Sequence, residues 1–313
     1  MKRVTVLGML VAIGSVSIAV KAAQQQPPPT PSVDALTVEK VKDNLFVIRG
    51  TNSGGNTAVF VTAKGVTLVD TKNPGWGQPL LDKVKTLTDK PVTTVINTHV
   101  HYDHVSGNVA MPATAEIVGH EYTAKNIANP QPVAGITSAN PPANVFKENP
   151  GKGLVKRSFT DKLTIGSGAD RINLYYFGPA HTGGDAFVEF PVHRIMHTGD
   201  AFPSLGLPIM DKPNGGSGVE YANTIRKAVK GVPNIDAIIN GHTPANTTPA
   251  DMLRFADFVA EFVAHVQAGK KAGKSAEQVA KEWSTPAKFT GFSAAPPIER
   301  VTAYVNFIFA ETK

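Results

Sequence analysis

Apolar residues recur along this chain with two periods. Between residues 37 and 70 they alternate with polar ones in the runs 37–42, 45–49, 57–62 and 66–70, separated by Asp43-Asn44, by Asn52 to Gly55 and by Lys64-Gly65. Period-two runs bounded by such turn residues predict an antiparallel meander. The β-branched run 91–97 is apolar enough for a strand covered on both faces. Leu80, Leu81, Val84 and Leu87 fall three or four apart and predict a helix. Beyond it the pattern gives a helix over 105–111, a strand at 116–118 and a helix over 121–128. A hairpin follows, 159–165 with 171–177, turned by Gly166 to Asp170, and then short strands at 186–190, 194–196 and 235–239. Helices over 221–230, 249–268, 275–283 and 298–310 close the chain, and Met252, Phe255, Phe258, Val259 and Phe262 form a core stripe. Strands and helices in this order give a mixed α/β (α+β) fold. The segment 129–153, rich in Pro, Ala, Asn and Gly, is long for a structureless loop, which marks it either as a flap beside a site or as a surface excursion.

The 91–97 strand runs into His99-Val100-His101-Tyr102-Asp103-His104. Three histidines and an aspartate on one strand end converge on one spot from a rigid base. Packed that closely without a cation, the imidazoles repel one another and lack partners. Neutral imidazole and carboxylate donors favour zinc or a similar first-row ion. Three more clusters follow short apolar runs: Gly178-Pro179-Ala180-His181-Thr182-Gly183-Gly184-Asp185, Met196-His197-Thr198-Gly199-Asp200 and Asn240-Gly241-His242.

His-x-His-x-Asp-His followed by these three clusters, in this order, resembles the signature of the metallo-β-lactamase superfamily. The resemblance implies a four-layer αββα sandwich with two adjacent metal positions. His99, His101 and His181 would hold one, Asp103, His104 and His242 the other, and Asp200 would bridge them. It implies two Zn2+ ions, with iron possible, that share a hydroxide nucleophile. Asp103 is then also the catalytic group that orients the nucleophile or takes its proton, and Asp70, ending the 66–70 strand, is a supporting residue behind the ligand loop. His120, His193 and His197 belong to no ligand cluster, His120 reading as a loop or cap residue.

Residues 1–22 carry a basic start, Lys2-Arg3, an uncharged stretch from Val4 to Val20, and Val20 and Ala22 at the small-residue positions. That is the order of a cleavable secretory leader, which places the mature protein in the periplasm or outside the cell with no stable membrane insertion. Residues 23–36 read as a Pro/Gln-rich tether before a domain at 37–313. The chain contains no cysteine, which removes disulfides, thiolate ligands and a lipid-anchored terminus. Its formal charge of +6 loses three cations with Lys2, Arg3 and Lys21, and the rest are scattered, so nothing points to nucleic acid. Oligomeric state is not legible.

A small-molecule substrate with an attackable carbonyl, whether β-lactam, lactone, ester or thioester, fits this chemistry. β-Lactamases of the resembled family usually carry Cys or Ser where this chain has Asp200, whereas an aspartate there is similar to thioesterases of the glyoxalase II type, lactonases and phosphodiesterases. A persulfide-dioxygenase-like enzyme with one iron, and a metal-binding protein without turnover, are the alternatives. The apolar stretch 201–210, followed by Lys212 and Asn214, suggests a wall that receives a partly hydrophobic carboxylate, and Trp76 in its turn-rich loop is a further candidate substrate contact.

Overall fold

The computed structural model describes residues 30–136 and 142–313, so the leader and most of the tether lie outside the described residues. The first sheet runs β1 (Leu36–Lys42), β2 (Leu45–Gly50), β3 (Thr57–Val61), β4 (Val66–Val69), β5 (Val92–Asn97), β6 (Glu116–His120) and β7 (Arg157–Phe159), in that spatial order. Its first four strands are the antiparallel meander expected from their turns, while β4 through β7 pair in parallel. Between β4 and β5 lies α1 (Gly77–Lys85), and α2 (Tyr102–Val105), α3 (Glu121–Asn126) and α4 (Val145–Glu148) follow β5 and β6. The second sheet comprises β8 (Lys162–Ile165), β9 (Ile172–Tyr175), β10 (Phe187–Phe190), β11 (Ile195–Gly199) and β12 (Ala237–Asn240). Only its last pair, β11 with β12, is parallel. Helices α5 (Gly218–Gly231), α6 (Pro249–Lys271), α7 (Ala276–Glu282) and α8 (Ile298–Glu311) complete the chain.

Alternate side chains define the layers. Leu45, Val47, Ala58, Phe60, Val69 and Ile96 of the first sheet meet Ile172, Leu174, Val188, Phe190 and Ile239 of the second in one core between the sheets. Their neighbours Ile48, Val59, Leu68 and Val95 face the other way, onto Trp76, Leu80 and Val84 at the start and along the length of α1. On the far side, Phe187, Met196 and Ile238 pack under Ile225, Phe255, Phe258, Phe262 and Tyr304 of the C-terminal helices. Helix, sheet, sheet and helix therefore form the four layers expected. Among the described residues no helix is long and apolar enough to cross a membrane.

Two expectations need correction. The run 159–165 is not one strand: β7 ends at Phe159 on β6 of the first sheet, and β8 begins at Lys162 on β9 of the second. The chain changes sheets through Thr160 and Asp161, and the Asp161 carbonyl accepts from Tyr176 N at the new edge. The expected helix at 105–111 is α2 with a short 3-10 turn, Ser106–Ala110. Gly107 explains its tightness, because a Cβ there would strike the Thr71 carbonyl. His120 ends β6 and caps α3, its ring accepting from Tyr122 N at 3.2 Å.

Candidate metal centre

The donor side chains sit at one edge of the sandwich, on loops and on the short helix α2. His99, His101 and His104 follow β5, His181 precedes β10, Asp200 follows β11, and His242 follows β12. His99, His101, His181 and Asp200 each bring one donor atom within 4.8 Å of the others, and Asp103, His104 and His242 form a second such group beside the first. Asp200 joins the two: one oxygen lies 3.2 Å from His242 Nε2 and 3.7 Å from His181 Nε2, the other 3.3 Å from His104 Nε2.

Four of the five imidazoles, those of His99, His101, His104 and His181, are fixed by the nitrogen that faces away from the cluster. His104 Nδ1 lies 2.7 Å from Asp70 Oδ2, and the same carboxylate accepts from Thr98 N at 2.8 Å and Thr98 Oγ1 at 2.7 Å. Asp70 thus stands behind the histidine loop, held there at a left-handed φ of 66°. His99 Nδ1 meets Thr98 Oγ1 at 3.0 Å, and His181 Nδ1 donates to the Ile209 carbonyl at 2.9 Å. His101 Nε2 lies 2.7 Å from Asp211 Oδ2, which turns Nδ1 inward to 2.9 Å from His181 Nε2.

The inward atoms fit a cation. His99 Nε2 is buried with no hydrogen-bond partner, and Asp200 Oδ1, also buried, has His104 Nε2 at 3.3 Å but no well-aligned hydrogen bond, an arrangement that a cation between them would satisfy. Burial, then the neighbouring His104, His101 and His181, hold the His99 imidazole well below its usual range, and burial and His101 push His181 down to about 4. Both rings are therefore neutral, as a metal requires. In the second group, Asp200 raises His242 to about 10, and Asp103 and Asp200 overcome the effect of burial to raise His104 well above its usual value. Burial would lift the Asp103 and Asp200 carboxyls, but His104 and His242 hold both well below the ordinary range.

Two glycines make the cluster possible. A Cβ on Gly55 would fall on the His104 ring, and one on Gly241 would fall on the Asp200 carboxylate. Tyr221 Oη donates to the Asp200 carbonyl at 3.0 Å and anchors that loop onto α5.

The site opens into a cleft of about 860 Å³. Pro132, Val133, Ile136 and Pro142 form one wall, so part of the 129–153 segment does stand beside the site, while Val145 and Phe146 of α4 pack on Val100, Val105 and Ile127 behind it. Pro203, Leu207 and Ile209 form the opposite wall, from the apolar stretch noted in the sequence.

The three residues suggested as substrate contacts are elsewhere. Trp76 is 3% exposed and packs with Leu80 and Val84 in the outer core, at the N-cap of α1. Lys212 turns away to Glu311 of α8, Nζ to Oε1 2.7 Å. Asn214 is buried and clamps the base of the flap: Nδ2 donates to the Gln131 carbonyl at 2.9 Å and to Asp211 Oδ2 at 2.6 Å, and Oδ1 accepts from Gln131 N at 2.8 Å. Asp211, absent from the sequence-based set, is the residue that orients His101. Its only sequence signal is an aspartate three residues before that asparagine in a Pro/Gly-rich turn. Lys72 was also not singled out. It is fully buried beneath the 52–55 loop, donating to the Gly55 carbonyl at 2.7 Å and the Ile48 carbonyl at 3.0 Å.

Residues 50–242 match the family description "Metallo-beta-lactamase superfamily". The chain belongs to this superfamily. It is a metal-dependent hydrolase with a His/Asp metal-binding cluster. Among curated relatives, it is 26% identical over 222 residues to the metallo-beta-lactamase type 2 of Elizabethkingia meningoseptica, covering 66% of this chain and 78% of that one. It is 27% identical over 169 residues to the 2,4-dinitroanisole O-demethylase subunit alpha of Nocardioides sp. (strain JS1661), covering 53% of this chain and 46% of that one. Among solved structures, the stereoselective inverting sec-alkylsulfatase Pisa1 from Pseudomonas sp. superimposes with a TM-score of 0.68 at 12% identity, over 88% of this chain. This chain spans about half the length of that enzyme, 50% of it. The metallo-beta-lactamase from Pontibacter korlensis superimposes with a TM-score of 0.56 at 19% identity, covering 71% of this chain and 99% of that one. These superpositions establish a shared fold.

Proposed function

We propose that this chain is an exported dinuclear zinc hydrolase that cleaves a carbonyl substrate, a lactam, lactone, ester or thioester. The observation that carries the reading is the pair of adjoining donor groups joined through Asp200, with His99 Nε2 buried and unpartnered. In this reading His99 Nε2, His101 Nδ1 and His181 Nε2 hold one ion, and Asp103, His104 Nε2 and His242 Nε2 hold the second, with Asp200 between. When bound, the ions supply an activated water and Lewis-acid charge at the scissile carbonyl.

The chain's own groups do the rest. Asp211, Asp70 and the Ile209 carbonyl hold three imidazoles in the orientation described, so little reorganisation precedes reaction. The cleft walls exclude bulk water from the acyl arm. Asp103, one oxygen of which lies 3.1 Å from His242 Nε2 at the cleft floor, receives a proton from water and passes it to the leaving atom. The acyl-to-heteroatom bond breaks, the water oxygen ends on the carbonyl carbon, and the leaving group departs protonated. Export is supported by the basic, apolar, small-residue order of residues 1–22.

The relatives' names span a lactam, an aryl methyl ether and a secondary alkyl sulfate, so turnover itself decides the substrate class. Elemental analysis of the mature protein with rates on nitrocefin, a γ-lactone and a thioester tests the proposal. About two zinc per chain with turnover of one member is expected. One iron per chain and no hydrolysis would overturn it.

A further inference from the structure

The charged and titrating lining of the cleft is confined to the metal-binding residues and Tyr102, and its other polar side chains, Asn73 and Ser204, are neutral. His101, Asp103, His181, Asp200 and His242 lie at its floor, and Pro132, Val133 and Ile136 face Pro203, Leu207 and Ile209 above them. Ile136 is 41% exposed, one of few large apolar side chains in that state among the described residues. No lysine or arginine is among the described residues that line the cleft. Of the neighbouring cations, Arg300 packs its stem against Gly135 of the 132–136 wall with Nε buried and does not line the cleft, and three others are committed elsewhere. Lys212 is paired with Glu311 on the outside of α8. Arg49 borders a separate polar groove on the far side of Asp103 and His242, and its guanidinium donates to Glu39, to the Asn246 side chain and to the Thr243 carbonyl. Lys72 lies under the loop with its ammonium on two carbonyls. The sequence adds that residues 129–144 and 201–210 contain no charged side chain at all. An anionic group on the substrate, away from the reacting carbonyl, would lose its water between these walls and meet no cation, a cost that hydrogen bonds from Tyr102 or Ser204 do not offset.

We infer that this site takes uncharged carbonyl compounds with a hydrocarbon arm, seated between the 132–136 and 203–209 walls, and rejects those whose arm ends in a carboxylate. This deepens the hydrolase reading and rests on it for the reacting group, although the selectivity of the cleft for its arm does not depend on turnover. The volume of about 860 Å³ is in the range that encloses most of a small ligand. It also replaces the expectation that Lys212 and Asn214 receive a carboxylate, since neither side chain lines the cleft.

The test uses the full chain reconstituted with zinc and two matched pairs of probes. The first pair is p-nitrophenyl octanoate and the p-nitrophenyl monoester of suberic acid, which share an arm length and leaving group and differ in a terminal carboxylate. We expect kcat/KM to favour the neutral ester by about 100-fold, and to rise about fourfold per methylene from acetate upward until the cleft is filled. The substitution Leu207→Lys, at a half-exposed position of the wall, narrows the gap at least about tenfold by raising turnover of the anionic ester. The second pair, octanamide and 8-amino-8-oxooctanoate, is followed by ligand-observed NMR with zinc bound and after chelation, and it reads the cleft without chemistry. Octanamide binding tighter in both states supports the inference. If neither ester is cleaved while that binding preference holds, the proposed ester chemistry fails and the cleft inference stands. Equal binding, or preference for the anionic amide, overturns the inference whatever the rates.

Discussion

Replacing Asp211 with asparagine isolates the one positioning residue that the sequence concealed. The change keeps the shape of the side chain and removes its charge. In the native protein Oδ2 lies 2.7 Å from His101 Nε2 and accepts from Asn214 Nδ2 at 2.6 Å, while Oδ1 accepts from Ala134 N at 3.1 Å. Burial pushes the Asp211 carboxyl up, and the hydrogen bonds from His101 and Asn214 outweigh it, so the group stays ionised below its ordinary range. All three neighbours donate, and an amide offers an acceptor on only one side. In either orientation the amide NH2 faces a donor, which leaves a buried group unsatisfied at a cost of about 1–3 kcal/mol.

The second consequence falls on His101. Without the carboxylate, its Nε2–H loses the charge that fixes the tautomer and presents Nδ1 to the cluster. Loss of such a partner typically lowers metal affinity about 10–100-fold, equivalent to ~1.4–2.7 kcal/mol. Asp211→Asn should therefore bind zinc about 10–100-fold more weakly at one of the two positions, and its metal-free form should unfold at lower urea. Zinc withdrawal by a chromophoric chelator reads the first effect and paired urea melts the second. Zinc affinity within about twofold of wild type in a folded variant would refute the assignment of Asp211 as the residue that orients His101.

Three further outcomes are expected. Asp103→Asn should abolish hydrolysis while circular dichroism and the urea midpoint of the metal-free protein change little, because Asp103 contributes to none of the buried apolar clusters; near wild-type turnover would remove its catalytic role. Phe258→Ala should cost about 3–5 kcal/mol in urea denaturation, since the ring is fully buried and lies 4.8–5.9 Å from Phe292, Phe289 and Trp283, and a loss under about 1 kcal/mol would show that the helices repack. Burial lowers the Lys72 ammonium from 10.5 to about 7 against the pull of Asp70. An unfolded lysine titrates near 10.4, so between these values the unfolded chain holds the extra proton and the lysine's penalty fades as pH rises. The stability of wild type relative to Lys72→Met should thus improve from about pH 7 to about pH 10, and urea melts showing a constant difference would contradict it.

Much of the fold was readable because its signals are local. The meander turns, the β-branched run before His99 and the aromatic stripe of α6 each state their element within a few residues, and the donor clusters announce themselves because each closes a strand. What escaped depends on pairing between distant parts. The polar Thr160-Asp161-Lys162 interrupts the alternation between Phe159 and Leu163, but nothing in the sequence states that Phe159 pairs with His120 and Lys162 with Tyr175. Trp76 looks like an exposed loop aromatic until α1 is laid across the outer face of the sheet. Asp211 is separated from His101 by 110 residues, and its role follows from where the 203–214 loop returns to the site. Lys72 reads as a surface cation after a strand, and only the loop folded over it makes it a buried donor.

Topology explains why such scattered residues converge. In a parallel pair the carboxyl ends of both strands share one edge, so Asp70 after β4 and the histidine loop after β5 emerge side by side. The same holds for Asp200 after β11 and His242 after β12. An antiparallel neighbour presents its beginning at that edge, which is where the 52–55 loop before β3 and His181 before β10 are found. Six loops thus deliver their side chains to one rim, three from each sheet. The sheets themselves are joined behind that rim by the core of Phe60, Phe190 and Ile239. The spacing between the two donor groups is therefore set by how the sheets pack, whereas the orientations of His99, His101, His104 and His181 are set by their outward partners. A substitution in the inter-sheet core should disturb both donor groups together, as should one at Asp70, which reaches His104 directly and His99 through Thr98, whereas one at Asp211 should disturb only the group that His101 serves.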